Sequence, residues 1–399
     1  MSPRLRQPLS ERMRTRSLAV GLSCAALALV WQILTVQYNY GGNWTGLFCT
    51  GDKQAIPAGL LGEPIHALRD SYGYDGQYYH YIAHDPLART ELPKFVDAPK
   101  MRYGRILVPG LAWLLAGGQP RFIDRAYFAV VLVFVFLGGF WVAWFAASRG
   151  RSFLWGFLFL LTPAALVSVD RMTVDVALAA LCAGLLAIIP ARRRAAEYAI
   201  LAAAPLARET GLALTAAYCL WAFGRRDWRR LVFGGLTAGP YAAWKLYLEK
   251  LEGGLPLGWM GPAPLRDLVG VIWRPSPYPW SWGINTMVIG ADLLALAGGL
   301  AAVGLAFQRG RRQGEEALNA ALLTFGCAGV VLAVAGSRDV WIHLYGYGRV
   351  LSPLMLLLMM RALTRGTRLG FMPVALTLPR AGLQFASDLL RVLRGVTSM

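Results

Sequence analysis

Charge is scarce in this 399-residue chain. Asp, Glu, Lys and Arg make up 16% of it, where a soluble domain averages about 25%. Acidic residues are scarcer than basic ones, 22 against 40, and there are only four histidines. The five cysteines, Cys24, Cys49, Cys182, Cys219 and Cys327, form no CxxC pair and suggest no disulfide framework. There is no Walker loop, so ATP hydrolysis within the chain is not expected, and neither GxSxG nor HExxH occurs. No internal repeat is visible, which removes the inverted-repeat signature of many secondary transporters. No polar stretch is long enough to bury a core of its own, so the sequence predicts one membrane domain without a separate soluble one.

What the chain has is long apolar blocks separated by short arginine clusters, with 56% hydrophobic residues overall. A spanning helix needs about 20 apolar residues. Candidates are 17–37, 122–147, 152–169, 173–190, 231–249, 286–307, 317–336 and 348–364. The stretch 195–223 is broken by Arg208-Glu209-Thr210 and reads as two short helices meeting at a polar tip. The expected fold is therefore all-α and polytopic, with about ten spans in 1–370. A large first extracytoplasmic loop, 38–121, carries interfacial helices, and 371–399 forms a cytoplasmic or interfacial tail. With the N-terminus inside, the clusters at Arg149 and Arg151, Arg192 to Arg194, Arg225 to Arg230, Arg309 to Arg312, and Arg365 and Arg368 all fall on the cytoplasmic side. The five arginines before Ser17 resemble a signal peptide, but Ser17–Gln37 is too long for one and lacks a convincing cleavage site, so an uncleaved span is expected. The net charge of +18 then reflects topology and contact with anionic lipid, and no nucleic-acid partner is expected. Residues 104–118, short and containing Pro109, are expected to lie in the outer interface with Arg102, Arg105 and Arg121 at the headgroups.

The polar residues on the outer side carry the candidate chemistry. Asp75 stands at the expected start of a helix, where a carboxylate is either an N-cap or a general base aimed into a cavity. Asp85-Pro86 has the form of a helix cap followed by N1 proline. Tyr74 and Tyr78 either anchor the loop at the interface or stack on sugars. His80 and His84, four apart, share a helix face, but zinc needs further ligands and none are evident, so no metal is expected. Asp170 and Asp175 bracket a short turn, as caps or as a pair able to position hydroxyls or a divalent cation. Arg208 either pairs with Glu209 or binds phosphate, for which its planar fork is suited. Arg349 follows His343 and Tyr347 and either snorkels to headgroups or binds phosphate.

Gly73-Tyr-Asp-Gly-Gln-Tyr-Tyr, then Ala83-His-Asp-Pro and Arg102-Tyr-Gly-Arg-Ile-Leu-Val-Pro109, resemble bacterial membrane proteins assigned to cell-surface glycopolymer formation. These are similar in plan to GT-C glycosyltransferases. Arg208-Glu-Thr210 and Tyr347-Gly-Arg-Val-Leu-Ser-Pro353 look like later signatures of the same group. The resemblance implies a bacterial inner-membrane enzyme with Asp75 as base. It implies a polyprenyl-phosphate sugar donor and a glycan or glycolipid acceptor on the extracytoplasmic face. The expected donor-phosphate ligands are Arg208, Arg349, Arg102 and Arg105, and the expected acceptor contacts are Tyr74, Gln77, Tyr78, Asp170, Glu209, His343 and Tyr347. No DxD or close acidic pair follows Asp75, which speaks against metal dependence. The competing classes are a lipid-glycan flippase and a non-catalytic scaffold. The spans 122–147, 152–169 and 317–336, read as uncharged, count against the flippase, which needs polar residues at the midplane.

Overall fold

Apolar runs long enough to span a bilayer become single helices only where the chain does not break and restart a helix within them. The computed structural model describes residues 3–60, 62–191, 193–251, 260–308 and 314–397, with 3–10 as backbone only. Its α-helices are α1 (Pro3–Asn39), α2 (Asp75–His84), α3 (Pro99–Arg102), α4 (Leu107–Leu115), α5 (Pro120–Ala147), α6 (Pro163–Arg171), α7 (Asp175–Ile188), α8 (Arg194–Ala207), α9 (Leu212–Gly224), α10 (Trp228–Leu236), α11 (Gly239–Leu248), α12 (Arg266–Trp273), α13 (Trp282–Ala306), α14 (Glu316–Ala335), α15 (Arg338–Trp341), α16 (Leu344–Arg365) and α17 (Met372–Thr397). Among the described residues the only sheet is one parallel pair, β1 (Thr50–Gly51) with β2 (Ala67–Leu68).

Four helices are long and apolar enough to cross a membrane: Glu11–Asn39, Pro120–Ala147, Trp282–Ala306 and Glu316–Ala335. The bent pair Phe153–Leu161 and Pro163–Arg171, angled by 63°, makes a fifth if it counts as one span. The expectation of about ten spans is corrected accordingly, and the reasons are local. Pro163 starts α6 after the Thr162 side chain has capped it, which breaks 152–169. Thr237 to Pro240 divide 231–249 into α10 and α11, of nine and ten residues. At 1.5 Å per residue the 14 residues of α7 or α8 reach only about 21 Å, short of the roughly 30 Å hydrocarbon core. The 22 residues of α16 are long enough but carry Arg349, Arg361 and Arg365.

Packing follows side-chain size. α5 sits against α1, α7 and the 3₁₀ segment Phe153–Leu161. Gly138, Gly139 and Gly156 face Phe159, Cys24 and the α5 backbone with no room for a Cβ. α7 is apolar on every side and buried almost throughout, as is the body of α16. Large apolar side chains point outward instead from α1, α13 and α14, for example Leu22, Val30, Met287 and Val331, as a lipid-facing surface requires. The segment expected as a tail, up to residue 397, is a helix packed along α13 and α1. Arg380 of α17 is bonded to Asp292 at 2.6 Å, and Asn39 donates to the carbonyl of Asp388. Of the arginines used for topology, Arg192, Arg309, Arg311 and Arg312 lie outside the described residues, as does 252–259 of the loop 250–285.

The first loop is a folded cap, not a tether. Its helix α2 is buried from Gly76 to Ala83. α4 is nine residues long and packs on α2 and α5, too short to span and shorter than the expected 104–118.

Candidate functional site

The Gly73 to Gln77 run is held by its own chemistry. Gly73 adopts φ +77°, open to glycine at little cost. A Cβ on Gly76 would stand 2.3 Å from the Arg171 carbonyl oxygen, so the turn between α6 and α7 seats directly on α2. Gln77, 1% exposed, accepts from the Gly51 N–H at 3.2 Å and donates to the Tyr72 carbonyl at 3.0 Å. Its amide is thus spent on the loop backbone. Tyr74 is the N-cap position of α2, and its hydroxyl donates to the Tyr345 carbonyl at 3.1 Å. Tyr78 shares a hydrogen bond with Gln54.

Asp75 is the first residue of α2 and not its cap, which corrects the capping alternative. Its carboxylate instead accepts from two arginines, Arg102 at 2.8 and 2.9 Å and Arg349 at 2.8 Å. Arg102 continues to Asp97 through two bonds of 2.9 Å. Arg349 continues to Asp175 at 3.3 Å, and Asp175 is bonded in turn to Arg208. Arg208 approaches Glu209 at 3.9 Å, and Glu209 forms a bidentate pair with Arg105 at 2.8 and 2.6 Å. Arg105 ends the chain on the Tyr79 hydroxyl at 3.1 Å. Four guanidiniums and four carboxylates alternate, so the formal charges cancel.

This arrangement corrects three expectations. Arg102 and Arg105 do not reach headgroups; their side chains are 8% and 5% exposed, with Arg102 held by two carboxylates and Arg105 by Glu209 and the Tyr79 hydroxyl. Arg208 and Glu209 are not primarily each other's partners, because each has a closer one. Asp85 caps no following helix: it ends α2, and its carboxylate accepts from the Arg89 and Thr90 N–H groups and the Thr90 hydroxyl.

Burial by itself would raise the Asp75 carboxyl, but Arg102 and Arg349 outweigh it and hold the group well below the usual carboxylate range. The Glu209 carboxyl is likewise pushed up by burial and brought down to about 2, chiefly by Arg105. A clamped Asp75 is therefore a permanent anion at neutral pH and a weak proton acceptor. Its side chain is 17% exposed.

Other expected site residues fall elsewhere. Asp170 takes the Trp31 indole N–H and the adjacent Arg171, both at 3.4 Å, and does not share a partner with Asp175. His343 faces a second cluster in which its Nδ1 lies 3.0 Å from the Tyr278 hydroxyl. That hydroxyl donates to Asp292 at 2.6 Å, and Arg380 binds the same Asp292. Tyr347 is buried and stacks on Trp341.

Sequence reasoning passed over Asp97, five residues before Arg102, and read Asp175 as a helix-start residue or as a mate for Asp170, not as a partner of arginines. It also passed over Glu63 and Asp124. Asp124 lies in the first turns of α5 and, with Arg125, inside the span 122–147, which is therefore not free of charge. Glu63 and Asp124 line a cleft of about 980 Å³ between the start of α5 and the loop, which does not include Asp75. Comparison with protein-family models, with curated proteins and with solved structures finds no match.

Proposed function

We propose that the chain is a membrane glycosyltransferase of the GT-C type. It would move a sugar from a polyprenyl-phosphate donor to a hydroxyl of a surface glycan or glycolipid, on the extracytoplasmic face of a bacterial inner membrane. The observation that carries the reading is the contact of Asp75 with both Arg102 and Arg349, an acid held between two phosphate-competent cations. In the donor-free state the arginines suppress the basicity of Asp75. A donor phosphate competes with Asp75 for Arg349. As that guanidinium turns to the phosphate, Asp75 loses a counter-charge and its proton affinity rises. Asp75 then takes the proton of the acceptor hydroxyl, whose oxygen bonds to the anomeric carbon. The bond from that carbon to the phosphate oxygen breaks, the configuration inverts, and polyprenyl phosphate leaves with its new charge on the arginine.

The test is Asp75→Asn in membranes supplied with labelled lipid-linked sugar; transfer at the normal rate removes Asp75 from the mechanism. Profiling lipid-linked sugars in a deletion strain then names the donor, which accumulates.

A second reading, a non-catalytic scaffold, is favoured by the closure of the ion network and by the cleft's location away from it. It expects Asp75→Asn to alter stability and leave every sugar transfer unchanged.

A further inference from the structure

α2 has a second polar face, a quarter to half a turn round from Asp75 and Tyr79. It carries His80 and His84, and two carboxylates from elsewhere meet them, Glu63 from the loop and Asp124 from α5. One ligand-type atom from each of the four lies within 4.8 Å of all the others. His80 Nε2 is 2.8 Å from Asp124 Oδ1 and 3.7 Å from Glu63 Oε2. His84 approaches Glu63 Oε1 through Nδ1 at 3.7 Å and Asp124 Oδ1 through Nε2 at 3.5 Å, so it offers one ring nitrogen or the other to a shared ion. With one atom taken from each residue the four lie within 4.8 Å of one another, a modest contraction away from the roughly 3.3–3.6 Å that separates atoms bound tetrahedrally at zinc's 2.0–2.2 Å bond lengths.

Distance alone would allow an ordinary ion pair, but the directions do not. His80 is fully buried and stacked on Phe48, with ring centroids 4.2 Å apart, yet neither of its nitrogens has an aligned hydrogen bond. His84 Nε2, Asp124 Oδ1 and Glu63 Oε2 are buried without an aligned partner as well. Close atoms that miss one another's hydrogen-bonding directions leave each with an acceptor or donor site free for a common partner placed among them. A buried polar atom left unmet keeps its full desolvation penalty, and five such atoms gathered in one place favour a partner that meets them together. Two neutral imidazoles and two carboxylates sum to a charge of −2, which one divalent cation cancels. Arg121 and Arg125, the other charged groups lining the cleft, make no hydrogen bond or ion pair with the four.

We propose that Glu63, His80, His84 and Asp124 bind one divalent transition-metal ion, zinc by its liking for mixed imidazole and carboxylate sets, and that the ion fastens the first loop to the mouth of α5. All four positions are filled by protein, so the ion is structural. The carboxylates, 24% and 23% exposed, open to the cleft and give the ion its entry path.

The test uses the full-length, tag-free protein in detergent, stripped with EDTA and titrated with Co²⁺ and then Zn²⁺. The expected result is one saturable equivalent giving the visible bands of four-coordinate Co²⁺, bleached by Zn²⁺. A spectrum that stays that of hydrated Co²⁺ overturns the site. His84→Gln and Asp124→Asn should each weaken binding by more than the roughly 10–100-fold that losing an outer-shell partner costs. His66→Gln, in the same loop but outside the cluster, should bind as the wild type does; equal loss in all three assigns the effect to misfolding and also overturns the proposal. The wild type needs no substitution to be informative: EDTA should lower its unfolding temperature and leave that of His84→Gln unchanged, and no EDTA effect on the wild type counts against the ion.

Discussion

The two faces of α2 solve the same problem in opposite ways. Both bring carboxylates into a poorly hydrated place. On the Asp75 face the balancing cations are arginines supplied by the chain, and every carboxylate has a guanidinium within 3.3 Å. On the His80 face the nearest groups are imidazoles, whose directions leave the carboxylates unmet. A closed network can hold a fold or be opened by a competing anion; an unmet one calls for a cation from outside. Buried charge alone does not separate these cases, whereas the pairing of each atom does.

The comparison breaks most readily at Asp175. It is 2% exposed and holds both Arg208 and Arg349. Asp175→Asn should cost about 3–5 kcal/mol, the usual effect of leaving buried charges unpaired. Chemical unfolding should show the loss while Co²⁺ binding on the other face persists; loss of both would mean the faces are not independent. Asp75→Asn should lower sugar transfer by about 10²–10⁴-fold, the range for removal of a general base, with a smaller effect on unfolding. Gly76→Ala sharpens the comparison, because the added methyl meets the Arg171 carbonyl and must tilt α2 as a whole. Overpacking of this kind costs about 1–3 kcal/mol, and both metal affinity and unfolding temperature should fall together.

The smallest effect is at Glu209. Its carboxyl is lowered in the folded state, so its contribution is full above the ordinary carboxylate range and is lost as pH falls from about 5 towards 2. The side chain is 41% exposed, so solvent screening keeps the contribution within about 1 kcal/mol. The stability gap between wild type and Glu209→Gln should be constant from pH 8 to 5 and close below that. A gap that stays constant down to pH 2 would place the Glu209 carboxyl in the ordinary range and unlink it from Arg105.

Much of the scaffold was legible because length and apolar content act locally. The long spans of α1, α5, α13 and α14 follow from uninterrupted runs, and the 208–210 break follows from three polar residues in an apolar stretch. Of the spans that failed, 152–169 and 231–249 did so where Pro163 and Pro240 open a new helix, which a hydropathy window averages over, while α7 and α8 are too short and α16 carries three arginines. Asp75, Arg102, Arg105, Arg208 and Arg349 were each conspicuous, and the structure joins them in one network. What the sequence concealed was who pairs with whom. Arg349 and Asp75 are 274 residues apart, and nothing in the local pattern around either points to the other. Gln77 was misread for the same reason, since its backbone partners at Gly51 and Tyr72 are visible only once the loop is folded. Asp124 was hidden by averaging, as one acid at the mouth of a greasy helix.

The order in which the chain is made bears on the alternating charges. Asp75 and Asp175 emerge from the ribosome early, whereas Arg349 arrives near the end, in α16. Until then Asp75 has only Arg102 and Asp175 only Arg208. A nascent chain stalled before residue 349 thus carries under-neutralised acids, a feature that separates unfinished copies from finished ones. α16, the last helix but one, closes the circuit, so pairing in this region waits until most of the described chain is made.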